Sequence, residues 1–402
     1  MELRTDNKKV AVFGGGRWAR VWLKILIENT EPSVSFTVYT KYLYGAMNLW
    51  VKNESLESRV KVSDKDPNFN EASYFAAIVV NAAQDHKEST IIALNAQVPV
   101  LVEKPLTTTF SDTSELIETA KINDTQLFTS WVFRYTSYLD NFIRCIGDIG
   151  NVKEVKILWA DKISETRYGE VKNFDAATPI FMDVLPHAMS ILSKILNSED
   201  YELVDCKVKN GGSHLDILIR VSQVPCHVIL ERNSVERKRE IIVTGEKRTS
   251  LDFSEEPGSI ISDDVASSGD KTWDVSPSPL TKMAIDFLKE ARSGISNHKL
   301  SSYSALAVSS LVDEVKPIYR NNLYIWLKEA IFQNCLDRLS LEYFITEFVK
   351  VTLRKNRSES NDFIEEYIKA FNDQKVRDKI QNMEEENFVS KMDRFMMSLG
   401  TS

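Results

Sequence analysis

The chain has 402 residues, 43% of them hydrophobic and 27% charged, which is too long for one ordinary core and points to two or more folded domains. A formal net charge of −8, with no basic run interleaved with aromatics, gives no general attraction to nucleic acid or to an anionic membrane. No apolar run approaches the ~18 residues that cross a bilayer, residues 1–9 are too polar for a signal peptide, and Cys145, Cys206, Cys226 and Cys335 are too scattered for a disulfide frame or a zinc site, so the expectation is a cytoplasmic protein without a metal.

Residues 9–13 are a short apolar strand, followed by Gly14-Gly15-Gly16-Arg17-Trp18-Ala19 and then by Val21, Trp22, Ile25 and Leu26 at helical spacing. This is a G-x-G-x-x-A turn between strand and helix. Gly14 allows the tight turn, Gly16 lets a diphosphate approach the backbone, and Ala19 permits close helix–strand packing. The helix start, with Arg17 and Trp18, offers free N–H groups to the phosphates. A second strand at 34–39 ends in Thr40-Lys41. A dinucleotide site for NAD places an acid near this point; a hydroxyl and an ammonium suit a 2′-phosphate, so NADP is expected in preference to NAD.

Residues 75–81 read as a buried strand that delivers Ala82 and His86, followed by a helix over 88–96. The next strand, 98–102, runs into Glu103-Lys104-Pro105. A lysine at a strand's carboxyl end points into the crevice where open α/β sheets bind ligands, and the proline restricts its backbone. A helix over 111–122, capped by Ser111 or Asp112, and a strand over 126–129 complete a doubly wound parallel sheet.

From about residue 130 the pattern changes. Strands at 152–159, 201–208, 215–221, 227–232 and 240–243 have little helix between them, which implies a mostly antiparallel sheet. One helical stretch interrupts it, 181–192, where Asp183 and His187 are four apart and share a face. Pro186 is tolerated there if it lies in the first turn. Residues 254–279 read as a long loop, and 280–291 and 304–315 as amphipathic helices. Taken singly, the Glu-Lys pair also reads as a solvated strand exit, and the Asp-His pair as a structural contact.

Beyond residue 319 the composition is helical, with Trp326, Phe332, Leu336, Leu339, Phe344 and Phe348 in one stripe. Phe363, Tyr367, Ile368 and Phe371 form another, and Phe388, Met392, Phe395, Met396 and Leu399 a third. Such stripes serve core packing or an oligomer contact, or dock a protein partner.

With the glycine turn, Glu-Lys-Pro and Asp-x-x-x-His in this order, residues 8–320 resemble the glucose-fructose oxidoreductase / inositol dehydrogenase (Gfo/Idh/MocA) family. The resemblance implies an α/β chain with a Rossmann NAD(P)-binding domain over 1–129 and an open-sheet substrate and oligomer domain over 130–322. A helical extension over 323–402 has no counterpart in the usual member. By resemblance, Lys104, Asp183 and His187 are catalytic. Gly14, Gly15, Gly16, Arg17, Trp18, Thr40, Lys41, Ala82, His86, Glu103 and Lys104 hold the cofactor, and Arg134-Tyr135 matches an Arg-aromatic pair entering the second domain. Lys162, Arg167 and Lys172 are candidates for a substrate carboxylate or phosphate, or solvated surface. The implied activity is hydride transfer between nicotinamide and a small sugar, polyol or imine, in a homo-oligomer (dimer or tetramer). The sequence also admits a tailoring reductase acting on a carrier- or protein-presented substrate, and a non-catalytic NADP-binding regulator. It departs from the family in lacking glycines around Asp183 and in carrying Ala82-Ala83 where proline is common.

Overall fold

The computed structural model describes residues 8–65, 67–69, 74–147, 151–167, 170–172, 177–294, 298–351 and 360–399. In its first half β1 (Lys9–Phe13), α1 (Arg17–Glu28), β2 (Ser35–Tyr39), α2 (Tyr44–Asn53), β3 (Val60–Ser63), β4 (Tyr74–Val79), α3 (His86–Asn95), β5 (Val100–Val102), α4 (Phe110–Ile122) and β6 (Leu127–Thr129) alternate. All six strands are parallel, in the order β3-β2-β1-β4-β5-β6. This is a Rossmann sheet whose strand order reverses between β1 and β4. Successive residues of β1 face opposite layers. Val10 and Val12 pack with Trp22 and Leu23 of α1 and with Met47 of α2. Ala11 and Phe13 pack with Leu94 of α3 and Leu116 of α4. Burial on both faces explains the unbroken apolar runs. Sequence reading leaves out β3 and α2, because an edge strand reading Val-Lys-Val-Ser lacks that signal. The cap of α4 is Thr109, whose hydroxyl accepts from the Asp112 N–H, and not Ser111 or Asp112.

The second half opens with α5 (Ser137–Ile146) and continues through β7 (Glu154–Lys162), the small hairpin β8 (Glu165–Arg167) and β9 (Glu170–Lys172), and α6 (Ile180–Leu196). Then come β10 (Tyr201–Lys209), β11 (His214–Val221), β12 (Val224–Ser234), β13 (Lys238–Thr244), β14 (Arg248–Asp252), β15 (Ser259–Ser262) and β16 (Val265–Ser268). Apart from β8 and β9, these strands form an eight-stranded sheet in the order β10-β11-β12-β7-β13-β14-β15-β16. Only the β12–β7 pairing is parallel. One face carries Val155, Ile157, Leu215, Ile217, Val228 and Leu230, packed with the buried residues of α6. β15 and β16 lie in the stretch expected as loop; β16 is exposed throughout and so shows no apolar alternation.

After α7 (Pro279–Ser293), α8 (Ser304–Phe332) runs as one helix through Pro317. It therefore does not stop near residue 315, and the expected domain limit at 322 falls inside it. α9 (Arg338–Val351), α10 (Ser360–Asn372), α11 (Gln374–Gln381) and α12 (Phe388–Leu399) complete the chain. Phe344, Phe348, Tyr367, Phe371, Met392 and Met396 belong to the same continuous core as the large sheet. Phe332 and Leu339, read as part of the first stripe, face outward. The turn before β11 is cut to fit the tail: a Cβ on Gly211 (φ +67°) would stand 1.9 Å from the Ser340 carbonyl oxygen of α9. Among the described residues no helix is long and apolar enough to cross a membrane.

Candidate active site

The candidate cofactor residues gather at the carboxyl ends of β1, β2, β4 and β5, the edge at which such sheets bind ligands. Gly14 turns at φ +128°, where a Cβ would come within 2.9 Å of the Val80 and Asn81 backbone; on Gly15 it would meet the Thr40 side chain at 2.7 Å. Gly16 is different. It caps α1 without a side-chain hydrogen bond, and a Cβ there would meet nothing within 4 Å. The protein itself therefore needs no glycine at 16, and the open space lies against the free amides of a helix start, which suits a diphosphate. Arg17 lies 5.9 Å from the Trp18 ring, and Thr40 and Lys41 follow β2, with no carboxylate among the residues directly after that strand.

Two expected cofactor residues turn inward. Glu103 is 8% exposed. Its Oε1 accepts from Trp22 Nε1 of α1 at 2.8 Å and from Ser130 Oγ at 3.0 Å, and its Oε2 from the Lys104 N–H at 3.2 Å. It ties helix α1 to the ends of β5 and β6 and sets the Lys104 backbone. His86 is buried with Nδ1 2.8 Å from the Pro105 carbonyl and Nε2 3.2 Å from that of Asn81. Burial pushes its pKa down, so the neutral ring carries one N–H, which the shorter contact to Pro105 takes. Ala82 precedes it in extended backbone. His86 thus braces the Lys104-Pro105 turn, whose peptide bond is cis.

Lys104 meets α6. Its Nζ donates to Asp183 Oδ1 at 2.5 Å and to the Asp183 carbonyl at 2.8 Å. Pro186 lies in the second turn of α6, not the first; it offers no N–H to the Met182 carbonyl, and at the neighbouring position the Asp183 carbonyl serves Lys104. Asp183 Oδ2 accepts from Arg232 Nη2 at 3.0 Å. Burial alone would raise the Asp183 carboxyl, but the Lys104 ammonium and Arg232 guanidinium overcome it and hold the group ionised. The Lys104 and Asp183 side chains are 14% and 32% exposed, so the pair opens on the crevice.

One turn on, His187 stacks on Trp159 at 5.5 Å between centroids, with Phe133 edge-on at 5.1 Å. Trp159 is also approached by Arg239, 3.9 Å from its centroid and paired with Asp161. Burial first, and then the Lys104 ammonium, push the His187 imidazole well below its ordinary range. At neutral pH it is an uncharged proton acceptor beside a bound ammonium. Among the described residues no group of three or more His, Cys, Asp or Glu side chains could hold a metal.

The expected substrate residues do not join this cluster. Arg134 Nη2 donates to Glu199 Oε1 and to Ser304 Oγ, both at 2.8 Å. Tyr135 is buried among the residues of the other core layer, and Lys162 is exposed at the end of β7. The side chains of Arg167 and Lys172 lie outside the described residues.

Sequence reasoning missed Arg232, Arg239, Trp159 and Asp161. The signal was present: in β12 the buried positions are Cys226, Val228, Leu230, Arg232 and Ser234, and in β13 Arg239, Ile241 and Val243. An arginine on the buried register is costly unless paired, so its appearance marks a built ion pair. Tyr343 of α9 was also missed; its hydroxyl accepts from Arg232 Nη1 at 3.2 Å, carrying the C-terminal helices to within one residue of Asp183.

Residues 8–130 match the model of the Gfo/Idh/MocA oxidoreductase family, NAD-binding Rossmann fold. No curated protein is a significant match in sequence. The fold is that of UDP-N-acetylglucosamine 3-dehydrogenase from Acidithiobacillus ferrooxidans (15% identity, TM-score 0.62, 78% of this chain and 98% of that one). It is shared with a 3-ketoreductase from Actinomadura kijaniata in complex with NADP and TDP-benzene (17%, 0.62, 78% and 98%). It is shared too with myo-inositol 2-dehydrogenase from Lactobacillus plantarum (17%, 0.61, 79% and 98%). Over residues 8–130 the chain thus carries the NAD-binding Rossmann fold of the Gfo/Idh/MocA oxidoreductase family.

Proposed function

We propose that the protein is an NADP-preferring oxidoreductase acting on the alcohol, carbonyl or imine carbon of a small polar substrate, with Lys104, Asp183 and His187 managing the proton. The observation that carries this reading is the Lys104–Asp183 pair beside an uncharged His187, at the carboxyl edge of a dinucleotide-binding sheet. The glycine turn and the start of α1 would hold the diphosphate, and Thr40 and Lys41 the 2′-phosphate. The bound nicotinamide supplies or takes the hydride.

The chain's own task is the proton. A Lys104 ammonium has three N–H donors, and two are spent on Asp183. The third polarises a substrate oxygen or nitrogen and protonates it as the carbon gains hydride. In the opposite direction the same path runs backwards: the alcohol returns its proton by way of Lys104, and His187, neutral at physiological pH, accepts it from there. Asp183, fixed by Arg232, holds the Lys104 ammonium in place at the crevice. Lys104 and His187 are thus two stations on one proton path. The UDP-N-acetylglucosamine and myo-inositol dehydrogenases among proteins of this fold support a sugar- or polyol-like substrate, and the crevice exposure of Asp183 supports a polar one.

A crystal of the protein soaked with NADP and a metabolite mixture tests the reading. Density for nicotinamide and a small molecule within hydrogen-bonding reach of Lys104 Nζ is expected. A cofactor bound with its nicotinamide turned away from Lys104 and His187 would overturn it.

A further inference from the structure

Helix α9 lies past residue 320, where the resemblance read in the sequence ends, yet it reaches the candidate active site through one hydroxyl. Arg232 is 2% exposed, and its guanidinium is held in three directions. Nη1 donates to the Thr178 carbonyl at 3.0 Å and to Tyr343 Oη at 3.2 Å, and Nη2 to Asp183 Oδ2 at 3.0 Å. A planar fork of this kind cannot turn toward one acceptor without leaving another. Thr178 and Asp183 belong to one segment, the approach to α6 and its first turn, so by themselves they would let Arg232 move with that segment. Of the three acceptors, Tyr343 alone comes from a separate element.

That element is itself pinned on both sides of Tyr343. One turn before, the Ser340 carbonyl stands where a Cβ on Gly211 would come within 1.9 Å. One turn after, Glu347 Oε1 accepts from Tyr319 Oη of α8 at 2.6 Å. Residues 340, 343 and 347 share one helix face, and Phe344 and Phe348 beside them are buried. Burial pushes the Tyr343 phenol up to about 12 against the pull of Arg232, so it stays uncharged. It fixes the guanidinium by a lone pair and leaves the positive charge to Asp183. We propose that Tyr343 is a positioning residue for the proton chemistry: it holds Arg232, Arg232 holds Asp183, and Asp183 holds the Lys104 ammonium, so that α9 is a working part of the active site. The path from Tyr343 to Lys104 Nζ is continuous, with every link at 3.2 Å or less. The role assigned to Tyr343 rests on the proton chemistry proposed for Lys104 and Asp183.

Two full-length variants test this. Tyr343→Phe removes the acceptor and keeps the ring, whereas Phe348→Leu weakens the packing of the same helix at Tyr367 instead. With the substrate that the unaltered protein turns over fastest, Tyr343→Phe should lower kcat about tenfold, as loss of a hydrogen bond to a charged group allows, and leave the KM for NADPH unchanged. Phe348→Leu should lower the melting temperature further yet keep kcat within about twofold. Nitrogen-15 NMR of the Arg232 side chain gives a readout that needs no substrate. Rotation about its Cζ–Nη bonds should be slow in the unaltered protein and in Phe348→Leu, and about tenfold faster in Tyr343→Phe. Full kcat in Tyr343→Phe, an equal loss of kcat in Phe348→Leu, or equal guanidinium rotation in all three proteins would overturn the proposal. Lys104→Ala keeps the two failures apart: turnover retained there overturns the proton chemistry itself, whereas turnover abolished there with full kcat in Tyr343→Phe overturns only the role of Tyr343. Should no substrate be turned over, the NMR comparison decides whether Tyr343 holds Arg232.

Discussion

The two sheets hold their chemistry in different ways. The parallel sheet is apolar on both faces and presents its site through backbone, at a glycine turn and at strand ends. The large sheet is apolar over most of its inner face but turns aromatic and charged at one end, where Trp159, Asp161, Arg232 and Arg239 lie beneath Asp183 and His187 of α6. The first arrangement is suited to a ligand common to many reactions, held by amides that any sequence provides. The second is suited to one reaction, because each side chain is fixed by another. Lys104, just past β5 of the first sheet and bonded to Asp183 of α6, which packs on the second, is where they meet.

Breaking the second arrangement has the largest expected effect. With His187→Ala, kcat/KM falls by roughly 10²–10⁴-fold in both directions, as the fixed overall equilibrium requires. Steady-state rates measured both ways check that the two losses match. Next, Arg232→Met removes the guanidinium shared by Asp183 and Tyr343 and destabilises the fold by roughly 3–5 kcal/mol. Arg220→Ala, on the exposed face of the same sheet, changes it by no more than about 0.5 kcal/mol. Denaturant midpoints with unchanged slopes would show both.

In the first arrangement, Gly16→Ala leaves the melting temperature unaltered, since the methyl meets no protein atom, but weakens NADPH binding about tenfold, or about 1.4 kcal/mol. Gly14→Ala, at φ +128° against the Val80 backbone, lowers stability itself. Fluorescence titration and melting curves of the pair separate a cofactor glycine from a structural one.

Acid reveals the second sheet again. His187 is held below its unfolded value, so below about pH 6.5 the unfolded chain binds a proton that the native one refuses. Stability is then lost as pH falls through that window. The urea midpoint should drop between pH 7.5 and 5.5, and drop less in His187→Gln. An effect of similar size to that at Gly16 falls on cofactor choice: Lys41→Ala should cut the preference for NADPH over NADH by about tenfold, consistent with one charge-assisted contact at roughly 1.5 kcal/mol, read from the two dissociation constants.

The contrast also explains what was legible. Gly14, Gly16, Lys104 and the Asp183–His187 spacing are local patterns, readable because a turn, a strand end or a helix face is written in consecutive residues. The Lys104–Asp183 contact joins residues 79 apart and becomes expected only through family resemblance. Trp159, Arg232 and Arg239 come together only once the register of β7, β12 and β13 is known, which pairs Trp159 with Arg239 and Leu230. Arg134 misled for the opposite reason, since a conspicuous motif beside an aromatic is spent on Glu199 and Ser304. The reach of α9 to Arg232 was hidden because the stripe on the tail names an apolar face but not what it covers.

The central claim is that Lys104 supplies the proton where nicotinamide meets substrate. It is tested most directly by following NADPH consumption with a panel of ketones, sugar ketones and imines in the unaltered protein and in Lys104→Ala, with NADPH affinity measured alongside. The account predicts that at least one substrate consumes NADPH, and that Lys104→Ala abolishes this while binding NADPH nearly as tightly. Turnover in Lys104→Ala equal to that of the unaltered protein would contradict it.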